Sequence, residues 1–145
     1  MFYRVIPSDR AYLSVLPSEL EGVRGWCEMS DLAFHNLVVV VTEGVVNAIV
    51  HGNREEKGKE VVIDITCEEK GVRCVIQDEG EGFLVENAPD PVAPENLLRE
   101  GGRGVFIIRA LTTEFNVERV DGGSRISFLL DRNPGPMSDE SGEDS

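Results

Sequence analysis

The alternation of apolar and polar positions divides the first 130 residues into short and long segments. FYRVI (2–6) has the composition of a strand, and Pro7 stops it. LSVLPSELEGVRGWCEM (13–29) contains a helix starting close to Pro17, since proline is tolerated in a first helical turn. Ser30 or Asp31 then offers an N-cap to a segment reaching Gly52, where a glycine stop is expected. Four consecutive valines (38–41) have strand character, but the run is about twice a normal strand's length and its polar residues recur at helical spacing. The spacing predicts a helix.

VVIDITCEE (61–69) and GVRCVIQD (71–78) read as a hairpin turned around Lys70 and Gly71. The stretch that follows, GFLVENAPDPVAPENLLREGG, carries three prolines and is long for a plain connection, as lids and binding loops often are. GVFIIRAL (104–111) reads as a buried helix, and EFNVERVD and SRISFLL as a strand pair turned by Gly122 and Gly123. The predicted order, β-α-α-β-β-loop-α-β-β, implies an α+β fold. It is a two-layer sandwich with helices on one face of a mixed, mainly antiparallel sheet. Residues 1–130 form the expected domain. Residues 131–145, rich in Ser, Asp, Glu, Gly and Pro, read as an acidic disordered tail.

Composition narrows the function. A net charge of −13, of which the tail holds −4, leaves −9 on the first 130 residues. Direct nucleic-acid binding is therefore not expected, since a phosphate-neutralising surface is basic. A bound polyphosphate would need local help from backbone amides, a metal ion or a few arginines. No apolar run approaches the roughly 18 residues of a membrane span, and MFYRVIPSDR lacks the apolar stretch of a signal peptide. A cytoplasmic protein without membrane attachment is expected. Cys27, Cys67 and Cys74 are odd in number and form no CxxC pair, so reduced thiols are expected, with neither a disulfide framework nor a zinc site.

Three stretches could carry chemistry. In TEGVVNAIVHGN (42–53), Glu43, Asn47 and His51 share with the flanking Asn36 and Arg54 a narrow arc of an otherwise apolar helix. Such a stripe is either a thin wet face or one wall of a cleft; His51, beside the terminating glycine, reads first as a cap or packing residue. DEGEGF (78–83) ends a strand with two glycines that permit close backbone approach to a flat ligand, and Asp78 could accept a hydrogen bond from an amino group. Alone it is a weak signal, since an acidic, glycine-rich turn is a common way to leave a strand. GGRGVFIIRAL (101–111) runs a glycine cluster into an apolar helix, which is either an anion site of free N–H groups assisted by Arg103 or a hinge before a core helix. No GxxxxGK[ST] phosphate loop, dinucleotide-binding unit or G-x-S-x-G turn is present.

Taken in order, E-x-x-x-N-A-x-x-H-G at 43–52, D-x-G-x-G-F at 78–83 and G-R-G-V-F-I-I-R-A-L at 102–111 resemble the N, G1 and G2 boxes of the Bergerat-fold (GHKL) ATPases. Ser124, after Gly122 and Gly123, resembles the fourth element, usually a threonine. Within that superfamily the chain is most similar to the bacterial anti-sigma-factor serine/threonine kinases.

The resemblance implies ATP and Mg²⁺ as cofactors. Glu43 would be the general base, and Asn47 the Mg²⁺ ligand. Asp78 would contact the adenine amino group, with Gly80 and Gly82 allowing the base to approach. Residues 84–100 would form the lid. Gly101, Gly102, Arg103 and Gly104 would hold the phosphates, and Ser124 would support the adenine end. It further implies a sigma factor and an anti-anti-sigma protein as partners, a serine on the latter as substrate, and a homodimer.

Thr112-Thr113-Glu114 departs from the Met-Asp-Glu common in the family, and Ser124 keeps the hydroxyl while losing a methyl. Three alternatives remain at this level: a nucleotide-binding partner-switch module without phosphotransfer, the ATPase part of a histidine kinase, and an α/β domain with no nucleotide site. The retained Glu43 speaks against the first. The absence of a phosphoacceptor histidine followed by an acidic residue speaks against the second.

Overall fold

The computed structural model describes residues 1–56, 58–80 and 102–134, with the backbone alone at 102–103. Strand β1 (Phe2–Pro7) leads through a 3₁₀ turn (Arg10–Ser14) into helix α1 (Leu16–Trp26), with Pro17 in its first turn. Helix α2 (Asp31–Val46) continues as a π-helical turn, Asn47–Gly52. A hairpin of β2 (Glu60–Glu68) and β3 (Gly71–Asp78) follows. Helix α3 (Gly102–Leu111) and the hairpin of β4 (Glu114–Val120) and β5 (Gly123–Leu130) complete the order read from the sequence. The five strands lie in the order β1-β2-β3-β5-β4, each pair antiparallel.

Strand alternation builds the core. Val61, Ile63 and Ile65 of β2, Val72, Cys74 and Ile76 of β3, and Ile126, Phe128 and Leu130 of β5 are buried at two-residue intervals. Against them α2 lays Ala33, Leu37, Val40, Val41 and Val45, whose three- and four-residue spacing makes one helical stripe. The Ser30 hydroxyl caps α2 by accepting from the Ala33 N–H at 3.1 Å. Gly44 lets α2 lie flat on the sheet: a Cβ there would stand 2.5 Å from Ile76 Cδ1 and 3.9 Å from Ile108 Cδ1.

Two expectations change. Cys27, at the end of α1, is joined to Cys67 of β2 by a disulfide with Cα atoms 5.6 Å apart, so the thiols are not all reduced; Cys74 remains free and buried. Sequence spacing could not reveal a pair brought together by packing between two elements. The continuous helix Asp31–Gly52 also has the length and mean hydropathy, 1.6, of a membrane span, contrary to the expectation that no run comes close. Its apolar stripe is the one that covers the sheet. The departure at Thr112 and Thr113 has a local role: the Thr112 hydroxyl donates to Ile108 O at 2.8 Å, ending α3, and Thr113 N–H donates to Leu129 O at 2.8 Å.

Candidate functional site

Asp78 is placed by the same alternation that builds the core. It follows Val72, Cys74 and Ile76 in the helix-facing row of β3, so a carboxylate falls where an apolar side chain would continue the pattern. The ladder to β5 sets Ser124 directly opposite. Asp78 is 6% exposed. Its Oδ1 accepts from the N–H of Gly80 at 3.0 Å and of Ser124 at 3.1 Å, and its Oδ2 accepts from the Ser124 hydroxyl at 2.8 Å. Burial raises its pKa above the ordinary carboxyl value; the Ser124 hydroxyl and then the two backbone N–H groups oppose the shift.

Glycines close the space around it. A side chain at Gly52 would overlap the Asp78 carboxyl, one at Gly80 would overlap the Gly52 carbonyl, and one at Gly123 would overlap the Asp78 carbonyl. The end of the long helix, the exit from β3 and the β4–β5 turn therefore meet backbone to backbone. Here the missing side chain is a steric requirement.

Glu43 is half-buried on α2 and faces the first turn of α3. A Cβ on Gly104 would stand 2.7 Å from Glu43 Oε1. Asn47, one turn further on, is also half-buried and opens the π-helical turn, a feature often found at functional sites. Among the described residues neither side chain has a hydrogen-bond or ion-pair partner. His51 is half-buried at the helix end, whereas Arg54 leaves the stripe, exposed and left-handed with φ 54°.

The structure thus brings Asp78, Gly80 and Ser124 together, and Glu43 beside Gly104. Gly102 and Arg103 lie in the first turn of α3, not before it as the glycine cluster suggested. Gly82, Gly101 and the 84–100 stretch fall outside the described residues, as does the Arg103 side chain.

One residue escaped the sequence reading. Asn53 is fully buried just after the expected glycine stop. Its Oδ1 accepts from Glu79 N–H at 2.8 Å, its Nδ2 donates to Glu60 O at 3.0 Å, and its own N–H donates to Ala48 O at 2.7 Å. An asparagine at a helix end is a known local hydrogen-bonding signal, but its distant partners are invisible in the sequence.

The donor set can be tested against the groups the motifs imply. A buried carboxylate at a strand end, backed by a hydroxyl, suits an amino group on a flat base. The leading N–H groups of α3 have no partners within the helix and suit phosphate oxygens. Among the described residues no group of three or more His, Cys, Asp or Glu could hold a metal ion. That still fits Mg²⁺, which keeps waters and phosphate oxygens and takes few protein ligands; the amide oxygen of Asn47 would be available to it.

A family model described as a histidine kinase-like ATPase domain matches residues 6–130. A serine-protein kinase RsbW of Staphylococcus aureus is 32% identical over 127 residues, covering 81% of this chain and 78% of the relative. One from Oceanobacillus iheyensis is 29% identical over 123 residues, with the same coverage of both chains. Among solved structures, the RsbU and RsbW domains of Rv1364c from Mycobacterium tuberculosis superpose with a TM-score of 0.61 at 16% identity, a likeness of fold. The match covers 90% of this chain and 32% of that longer one. The chain belongs to the histidine kinase-like ATPase domain family and, within that Bergerat-fold (GHKL) superfamily, to the branch of the bacterial anti-sigma-factor serine/threonine kinases.

Proposed function

We propose that the protein is an ATP-dependent serine kinase that phosphorylates an anti-anti-sigma protein and, in the alternative state of a partner switch, holds a sigma factor. The carrying observation is the placement of the Glu43 carboxylate against Gly104, in the first turn of α3. A carboxylate there would be a proton acceptor beside a row of N–H donors, the pairing that phosphoryl transfer to a hydroxyl requires.

Each residue has a role in this reading. Asp78 accepts from the adenine amino group, and Ser124 holds the carboxylate in place through the two hydrogen bonds it donates. The N–H groups at the start of α3, with Arg103, hold the phosphates. Asn47 offers its amide oxygen to Mg²⁺. When bound, that ion supplies neutralisation of phosphate charge. Glu43 takes the proton from the attacking serine hydroxyl as its oxygen bonds to the γ-phosphorus and ADP leaves. Most of the rate enhancement then comes from positioning and charge neutralisation.

The family supports this reading, as does the retention of a carboxylate at position 43, which a module that only binds nucleotide does not need. The working form is inferred to be a cytoplasmic homodimer. Transfer from γ-labelled ATP with Mg²⁺ to anti-anti-sigma-type proteins of the same genome tests the proposal, with Glu43→Ala and Asn47→Ala alongside. Serine phosphorylation lost in Glu43→Ala supports it. Tight ATP binding without transfer to any candidate overturns the kinase assignment and leaves the binding module.

A further inference from the structure

We propose that Asn53 is a positioning residue for base recognition, tying the helix that carries Glu43 and Asn47 to the carboxylate that reads the purine. The inference rests on the assignment of Asp78 to the adenine amino group. Asn53 is buried and uses its side chain on both sides: Oδ1 takes the Glu79 N–H at 2.8 Å, and Nδ2 gives to Glu60 O at 3.0 Å. Its own N–H returns to Ala48 O at 2.7 Å, closing the π-helical turn. A single amide therefore connects the end of the long helix, the start of β2 and the residue next to Asp78.

Besides the packing of its carboxyl on Gly52, Asp78 is tied to the helix by hydrogen bonds, among the described residues, only through this amide and the Glu79 peptide. Gly52 and Gly80 meet through backbone alone, with no side chain between them that could compensate for a shift. Asp78 Oδ1 is also held by Gly80 N–H, two residues further on, so the position of the Glu79 peptide sets the orientation of the carboxylate. If Glu79 loses its acceptor, the peptide is free to rotate and the Gly80 N–H leaves its place. Ser124 then holds the carboxylate from one side only. The effect should fall on discrimination of the base, because the phosphate end is built from a different element, α3.

The test compares ATP with purine riboside triphosphate, which lacks only the 6-amino group, on the full chain with Mg²⁺ at pH 8. Wild type is expected to prefer ATP. In Asn53→Ala the preference should shrink by about tenfold, the scale of one hydrogen bond to a charged group. Asn53→Asp keeps the acceptor for Glu79 but sets a second oxygen against Glu60 O, so it should lose stability while retaining most of the preference.

Equal weakening of both nucleotides in Asn53→Ala, with the ratio unchanged, overturns the proposal and leaves Asn53 a stability residue. A wild type that binds both alike is a different failure, of the Asp78 assignment itself, and the proposal falls with it. A measurement on wild type alone guards against variants that do not fold. The Glu79 N–H should exchange slowly although its residue is exposed, and fast exchange overturns the proposal.

Discussion

Ser124 faces Asp78 across the β3–β5 ladder and donates to it twice, through its N–H at 3.1 Å and its hydroxyl at 2.8 Å. The hydroxyl is the largest influence holding down a carboxyl that burial pushes up from its ordinary value of 3.8. In the role proposed for Asp78, recognition of an amino group is strongest with the ionised form, so nucleotide affinity should fall on acidification, at a midpoint above the ordinary carboxyl value. Ser124→Ala removes the opposing hydrogen bond and should move that midpoint further up. Binding titrations from pH 4 to 8 would show it; an unmoved midpoint would refute the coupling.

The same group makes a statement about folding. A carboxyl whose pKa is higher folded than unfolded holds its proton more tightly in the native state. Its contribution to stability is therefore most favourable below the unfolded value and is lost as pH rises through the folded one. Ser124→Ala should enlarge that loss, so the variant's deficit relative to wild type should be greater at pH 7 than at pH 4. Urea unfolding at the two pH values checks the sign.

Gly104→Ala should separate stability from activity. Alanine favours a helix over glycine by about 1 kcal/mol, so melting should not fall. The new methyl, however, would stand 2.7 Å from Glu43 Oε1 and displace the carboxylate. A misplacement of this kind costs up to about 100-fold in rate, and the loss should appear in kcat with nucleotide affinity nearly kept. A stable variant with wild-type transfer would show that Glu43 does not need its place beside α3.

The Cys27–Cys67 bridge closes a loop with a sequence separation of 40. Loop closure on this scale is worth roughly 4 kcal/mol through the unfolded state. A dithiol reductant, or Cys67→Ser, should lower the unfolding free energy by about that order. Thiol titration of unreduced, denatured protein should count Cys74 alone; three titrating thiols and an unchanged melt under reductant would refute the bridge.

Ser30→Ala should cost about 1 kcal/mol, the usual loss for an N-cap hydroxyl. Thermal melts would register it, and ATP should still bind, since Ser30 lies at the end of α2 away from Asn47.

The elements were legible because their periods differ. The two-residue rows of β2, β3 and β5 and the helical stripe of α2 are written in the chain, as are the stop at Pro7 and the cap at Ser30. The neighbours of Asp78 were only partly legible. Gly80 and Ser124 stand in motifs, and the structure sets both on the carboxylate. Asn53 was missed because its two partners, at 60 and 79, come near only when the sheet and helix pack. The disulfide was missed for the same reason. Local pattern specifies what an element is, while contacts between distant elements depend on how they stack.

The long helix is fastened at both ends by different chemistry. Just upstream, Cys27 is bonded to β2 at Cys67, whose ladder partner is Val72; downstream, Asn53 is hydrogen-bonded beside Asp78, whose ladder partner is Val61. These are opposite ends of the same hairpin. Glu43 and Asn47 ride between the two anchors on a helix whose buried stripe lies on the sheet, so the ends are fixed by a bond and an amide and the middle by packing.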